Sequence, residues 1–459
     1  VQNSIYSISR TRVNILLLLL LFCSITFMAS SLNTVPLKSG HHLGALSTFH
    51  RGIHAVRWGR NVPPSYNDCL HQLNIYCYSP QQMRNAYNAT PMLNAGYNGT
   101  GQTIVIIDSF GSPTVAADLA QFDTDYGLPP PPSFQILTPL GTVPFNLHDP
   151  DRLGWAQETN LDVQWAHAMA PGASIVLLTS PVSETQGVQG MPEFLKLEQY
   201  ALDHHLGKIF SQSWGTTEET LFTPQGKKIL DGFNDFYKQA SSQQQITFLA
   251  SAGDTGSVNP DVNNKNYLFP TVGFPASSPW VTAVGGTSLY ANAAGNYQSE
   301  TTWNEGIGSA TGGGYSLYFK APDYQKQTLP SSVQAVSHGY RGLPDIAYDG
   351  DPLTSIPVYL GFLPDPDYYL FGGTSAGTPQ LAGLIADANQ WAGHPLGFLN
   401  TKLYKIATHQ AQTGPVFHDI TTGNNAQGGI PGYSATPGWD AVTGWGSPIS
   451  NSLFAQLIK

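Results

Sequence analysis

Charge is what this 459-residue chain has least of. Asp, Glu, Lys and Arg together make up 11% of it, against about a quarter in an average soluble domain. The 20 basic residues are outnumbered by 30 acidic ones, for a net charge of −10. That balance argues against nucleic acid or an anionic membrane surface as a main partner. Few carboxylate pairs also means little stability to lose when acid protonates them, so the composition suits an acidic medium. Cysteine is scarce as well. Of three, Cys23 lies in an apolar N-terminal run, and Cys69 and Cys77 lie close together in a polar stretch. That pair could close a small loop after export or remain as two thiols. There is no CxxC and no His-rich cluster, which excludes an ordinary zinc site. No internal repeat or low-complexity tract is present.

Glycine and proline are plentiful, at 47 and 34 residues, and apolar residues reach 41%. A sizeable core is possible, with many turns rather than a helical bundle. The length allows one large domain or two to three smaller ones. Arg10 and Arg12 precede the apolar run Val13 to Met28, and Ala29, Ser30 and Ser31 follow. A charged start, an apolar middle and a small-residue end read as a secretory signal over residues 1–31. The run is short for a membrane span, so cleavage is favoured over an anchor and export is expected. Contact with a membrane is expected only if this segment stays uncleaved. Residues 32–77 read as a linker or a short pro-segment remnant, and residues 78–459 as one domain.

From Tyr78 the pattern becomes regular. Thr103 to Ile107 is a continuous β-branched run and reads as a buried strand ended by Asp108. Helices are expected at about 113–125, 155–169, 192–205 and 229–243. Strands are expected at 174–178, 208–211, 246–250 and 280–284. Such alternation predicts an α/β fold with a mostly parallel sheet covered on both faces. The stretch 285–370 reads as hairpins and long loops. Ligands of such sheets bind beyond the carboxyl ends of the strands. Asp108, Ser213 and Asp254 all fall just past expected strand ends.

Three segments could carry chemistry. Phe371 to Ala386 is a small-residue turn running into an apolar helix, with Ser375 in the first turn and Pro379 at an early helical position. Unpaired N–H groups at a helix start favour developing negative charge, which suits a nucleophilic hydroxyl. The same placement suits an ordinary Ser N-cap. Glu158 and Asp162 lie four residues apart and share one helical face. Two partly buried carboxyls at that spacing do not both ionise easily, giving an acid–base pair for low pH or, alternatively, a solvated acidic face. Ala250 to Gly256 carries Asp254 into a Gly-bounded turn, where a protonated carboxyl could donate to an oxyanion or simply serve the turn. None of the 13 histidines sits in a Gly-flanked helix start. His148 is a weak candidate base, and His167 reads as a surface or core residue.

Taken together, Glu158-Thr159-Asn160-Leu161-Asp162, Ser251-Ala252-Gly253-Asp254 and Gly373-Thr374-Ser375-Ala376-Gly377-Thr378-Pro379 resemble the signature segments of the sedolisins, the serine-carboxyl peptidases. The resemblance covers about residues 78–459. It implies a subtilisin-like three-layer fold and an acid-active serine endopeptidase acting on protein or peptide substrates. Ser375 would be the nucleophile, Glu158 the general base, Asp162 its tuning partner and Asp254 the oxyanion donor. Asp108 and Trp214 resemble residues that extend this network in some members; the other readings are a strand-end Asp and a core Trp. Ser213 to Gly215 and Gly312 to Tyr315 resemble the walls that hold substrate backbone. A tripeptidyl-peptidase and an inactive peptide-binding protein of the same fold are the alternatives, and a monomer is expected.

The resemblance also implies one structural calcium ion in a C-terminal loop region. Asp419 and Asp440 would supply carboxylates, and Ile420, Thr436 and Gly438 carbonyls, a hard-oxygen set of the kind calcium takes. Thr436 stands where the family more often has Gly. About 45 residues separate the expected signal from Tyr78, fewer than the family's long folded pro-domain. How activity is controlled is therefore left open.

Overall fold

A computed structural model describes residues 56–306 and 308–459. The expected signal segment lies outside the described residues. Among the described residues no helix is long and apolar enough to cross a membrane.

The β-branched run Thr103–Ser109 forms β1 inside an eight-stranded sheet. Phe134–Leu137 (β2), Ser174–Ser180 (β3), Ile209–Gln212 (β4), Thr247–Ser251 (β5), Thr282–Ala291 (β6), Tyr297–Thr302 (β7) and Ile346–Asp349 (β8) complete it. The order is β7-β6-β5-β4-β1-β3-β2, with β8 also paired to β6. Only β6 with β7 is antiparallel. Thr103 lies opposite Ser174, and Ile209 lies opposite both Ile104 and Thr247.

Five long helices matter for the site: Val115–Tyr126 (α1), Pro150–Met169 (α2), Met191–Asp203 (α3), Pro224–Gln244 (α4) and Thr374–Ala392 (α5). Side chains of a strand alternate between faces, and β1 shows why both faces are covered. Ile104 and Ile106 join a core with Leu161, Trp165, Leu381 and Ile385 of α2 and α5. Val105 and Ile107 join a second core with Phe194 of α3 and Phe233 and Tyr237 of α4. The result is the expected three-layer α/β arrangement with a mostly parallel centre.

The helix α2 is buried at every position from Leu153 to Met169. It packs directly against α5. Gly383 permits that approach: a Cβ there would lie 2.7 Å from the Met169 Cβ and 2.8 Å from the Ala166 carbonyl oxygen. α2 begins five residues before the expected start. Asp149 caps it, accepting from the Asp151 and Arg152 N–H groups at 3.1 and 3.3 Å, and Pro150 occupies the first turn.

Part of the stretch read as a linker is folded onto the domain. Val56–Arg57 pairs antiparallel with Asp367–Phe371, and Tyr76–Cys77 pairs parallel with Thr354–Leu360. Cys69 and Cys77 form a disulfide with their Cα atoms 5.8 Å apart.

Candidate active site

The turn that starts α5 is shaped by what it must approach. Gly373 is the N-cap residue, with φ +104°, and a Cβ there would lie 2.8 Å from Asp254 Oδ2. Any other side chain would be strained in that backbone region and would crowd the carboxyl. Ser375 is the second helical residue and 3% exposed. It is not the cap, because the N-cap position belongs to Gly373 and carries no side-chain cap bond. Pro379 sits deeper in the helix than the sequence suggests. As the sixth helical residue it lacks the N–H that would bond the Ser375 carbonyl, so the helix gives up a hydrogen bond directly behind the serine.

The Ser375 hydroxyl lies beside the Glu158 carboxyl, near enough to favour its charged form; Glu158 projects from the middle of α2. Glu158 is fully buried. Burial pushes its pKa well above the usual carboxylate range; the Ser375 hydroxyl opposes the shift, and the charges of Asp108, Asp254 and Glu184 add to it. Asp162 lies one helical turn on, also fully buried. The Ser213 hydroxyl donates to its Oδ1 at 2.9 Å. Burial, then the charges of Asp108 and Glu158, push Asp162 well above its ordinary value too. Asp108 belongs to β1 itself, whose strand continues through Ser109. Burial raises its pKa to about 7, with the Thr159 hydroxyl opposing. Three carboxyls thus share one dry compartment in which they do not all ionise together, so a charged carboxylate sits beside protonated ones.

Asp254 follows the carboxyl end of β5 and is 2% exposed. Its Oδ1 accepts from both the backbone N–H and the hydroxyl of Thr374, each at 2.8 Å. The Gly253 N–H donates to the same hydroxyl at 3.1 Å, and Ser251 and Thr378 hydroxyls meet at 3.0 Å. These bonds fasten the β5 turn to the first turns of α5. The sequence quotes Thr374 within a motif but gives no sign of this role, because the partner is 120 residues away.

One of the two expected walls lies against this turn. The Gly312 N–H donates to the Gly253 carbonyl at 2.6 Å and the Ala310 N–H to the Asp254 carbonyl at 3.0 Å. Ser213 reaches Asp162, as above. Trp214 turns into the second core, stacked on Phe194 with centroids 4.2 Å apart. His167 is held elsewhere, its Nε2 2.8 Å from the Pro129 carbonyl oxygen and 3.2 Å from Asp123. His148 is exposed in the loop before α2.

At the C-terminal loops, Asp419 and Asp440 reach the same turn from two sides. The Gly438 N–H donates to Asp419 at 2.9 Å, and the Thr436 N–H donates to Asp440 Oδ2 at 2.9 Å. Asp440 Oδ1 also accepts from the Val442 and Thr443 N–H groups. Ile420 is buried behind Asp419. Neither carboxylate forms an ion pair among the described residues. No group of three or more His, Cys, Asp or Glu side chains suited to a metal occurs among them.

A serine thus lies beside buried carboxyls beyond the strand ends of a doubly covered parallel sheet, on a known scaffold. The family described as the Subtilase family matches residues 155–446. Kumamolisin from Bacillus sp. (strain MN-32) is 35% identical over 352 residues, covering 76% of this chain and 57% of its own. Human tripeptidyl-peptidase 1 is 30% identical over 283 residues, covering 58% and 44% respectively. A solved structure of Pseudomonas sedolisin, a serine-carboxyl proteinase complexed with two molecules of pseudo-iodotyrostatin, superposes with a TM-score of 0.67 at 32% identity. It covers 83% of this chain and 98% of that one. The chain belongs to the sedolisin family of subtilisin-fold proteins. It spans about half the length of these curated relatives.

Proposed function

We propose that the protein is an exported, acid-active serine-carboxyl endopeptidase. The observation that carries this reading is the placement of Ser375 beside a fully buried Glu158, with the buried Asp162 one helical turn on. Glu158 takes the hydroxyl proton as Ser375 attacks a peptide carbonyl, and Asp162 orients Glu158 and shares the proton. The Ser375 N–H and a protonated Asp254 hold the oxyanion. Glu158 then returns the proton to the leaving amine, and water repeats the sequence on the acyl-enzyme. Asp254 is held in place for this role by Thr374, whose N–H and hydroxyl both donate to its Oδ1.

Endopeptidase action is preferred over tripeptidyl-peptidase action because no acidic insert suited to a substrate amine is evident in the sequence. Calcium belongs to the same proposal. Asp419 and Asp440, with the Ile420, Thr436 and Gly438 carbonyls, would hold one ion that ties the C-terminal loops down. Two carboxylates with no basic partner fit a cation. The test of function is an acid digest of casein by the purified chain and by Ser375→Ala. We expect a loss of turnover on the order of 10⁶ in the variant; near-normal turnover ends the reading.

A further inference from the structure

We propose that Glu218 is a positioning residue that sets the spacing between the two walls of the substrate cleft. This rests on the peptidase reading above. Glu218 opens the short helix Glu218–Leu221, directly after the wall that begins at Ser213. Its side chain is fully buried and leaves its own wall altogether. The Ser316 hydroxyl donates to Oε1 at 2.9 Å and to Oε2 at 2.8 Å. The Leu317 and Tyr318 N–H groups donate to Oε1 at 2.8 and 3.1 Å. All three donors lie in the strand Gly314–Lys320, which continues from the other wall, Gly312 to Tyr315.

The backbone of Glu218 is anchored as well. Its N–H donates to the Val272 carbonyl at 2.9 Å, and Thr216–Thr217 pairs with Gly273–Phe274. One side chain therefore bridges two segments about 98 residues apart in the chain. The first segment carries Ser213, which bonds Asp162; the second carries Gly312, which bonds the Asp254 turn. Among the described residues, the neighbouring Glu219 makes no such bridge, and neither of its oxygens is bonded to another residue. The groups facing Glu218 are thus donors on one side and a carboxyl on the other. Asp231 lies further out, accepting from the Tyr318 hydroxyl at 2.8 Å.

Walls that bind extended backbone act on ground state and transition state alike, so a change in their spacing falls on KM rather than on kcat. The experiment compares Glu218→Ala and Glu218→Gln on an internally quenched octapeptide, with Ser375→Ala alongside. Glu218→Ala is expected to raise KM about tenfold with kcat within about threefold of the parent. Glu218→Gln is expected to restore KM to within about twofold, because its amide oxygen still accepts from the two N–H groups and its amide N–H reaches Ser316. An unchanged KM in Glu218→Ala, or a Gln variant as impaired as Ala, overturns the proposal. If Glu218→Ala does not fold, Ser316→Ala carries the test, with KM raised about threefold expected and an unchanged KM refuting it. Turnover retained by Ser375→Ala would instead overturn the peptidase reading itself.

Discussion

Thr374 holds Asp254 by one oxygen: its N–H and its hydroxyl both donate to Oδ1, each at 2.8 Å. The residue before the serine thereby fixes the carboxyl proposed as the oxyanion donor. Such an arrangement matters only if Asp254 acts on the transition state. Asp254→Ala should therefore lower kcat by roughly 10²–10³ with little change in KM, the signature of a lost oxyanion donor. Steady-state kinetics on a peptide substrate checks this.

Stability should fall as pH rises towards neutrality. Glu300 is buried among the hydroxyls of Tyr87, Thr287 and Ser447, and burial pushes its pKa up to about 7. Asp108 likewise rises to about 7. A carboxyl raised on folding binds a proton more tightly in the native state. Its contribution is fully present below about pH 4 and is lost as pH climbs through the folded value. A group shifted this far accounts for on the order of 3 kcal/mol. Thermal unfolding should give the highest Tm near pH 4 and a lower one at pH 8. Glu300→Gln should flatten the slope; a parent Tm that rises over this range would contradict the assignment.

The fold was legible because hydrophobic alternation is a local signal. The run at Thr103 and the helix–strand alternation after it gave the parallel sheet, with boundaries a few residues short. The miss at α2 is instructive: Pro150 and Gly154 look like breakers, yet Asp149 and Pro150 form a proper helix start. Pro379 misled in the other direction, being deeper in α5 than the first turn. The catalytic candidates were visible as motifs, whereas Thr374 on Asp254 and Glu218 on Ser316 join segments about a hundred residues apart. Pairings of that kind come from tertiary packing and leave no mark on either segment alone, whereas Cys69 and Cys77, eight residues apart, were visible as a possible pair.

Calcium should stabilise the protein, and more strongly above pH 6. Burial raises Asp440 to about 6 and lifts Asp419 as well, and calcium must displace those protons to bind. Millimolar calcium should raise Tm at pH 7 by more than at pH 4, a chelator should reverse the gain, and Asp440→Asn should abolish it. Equal Tm values with calcium and with chelator at pH 7 would remove the ion from the account.

The most direct test is the pH dependence of kcat/KM for the parent chain and for Glu158→Gln. If carboxyl groups move the protons and a protonated one must hold the oxyanion, the parent is active at acid pH and fades towards neutrality. The variant should then lose on the order of 10⁴ or more across the whole range. A neutral optimum in the parent, together with retained activity in Glu158→Gln, would place the base elsewhere and contradict the mechanism.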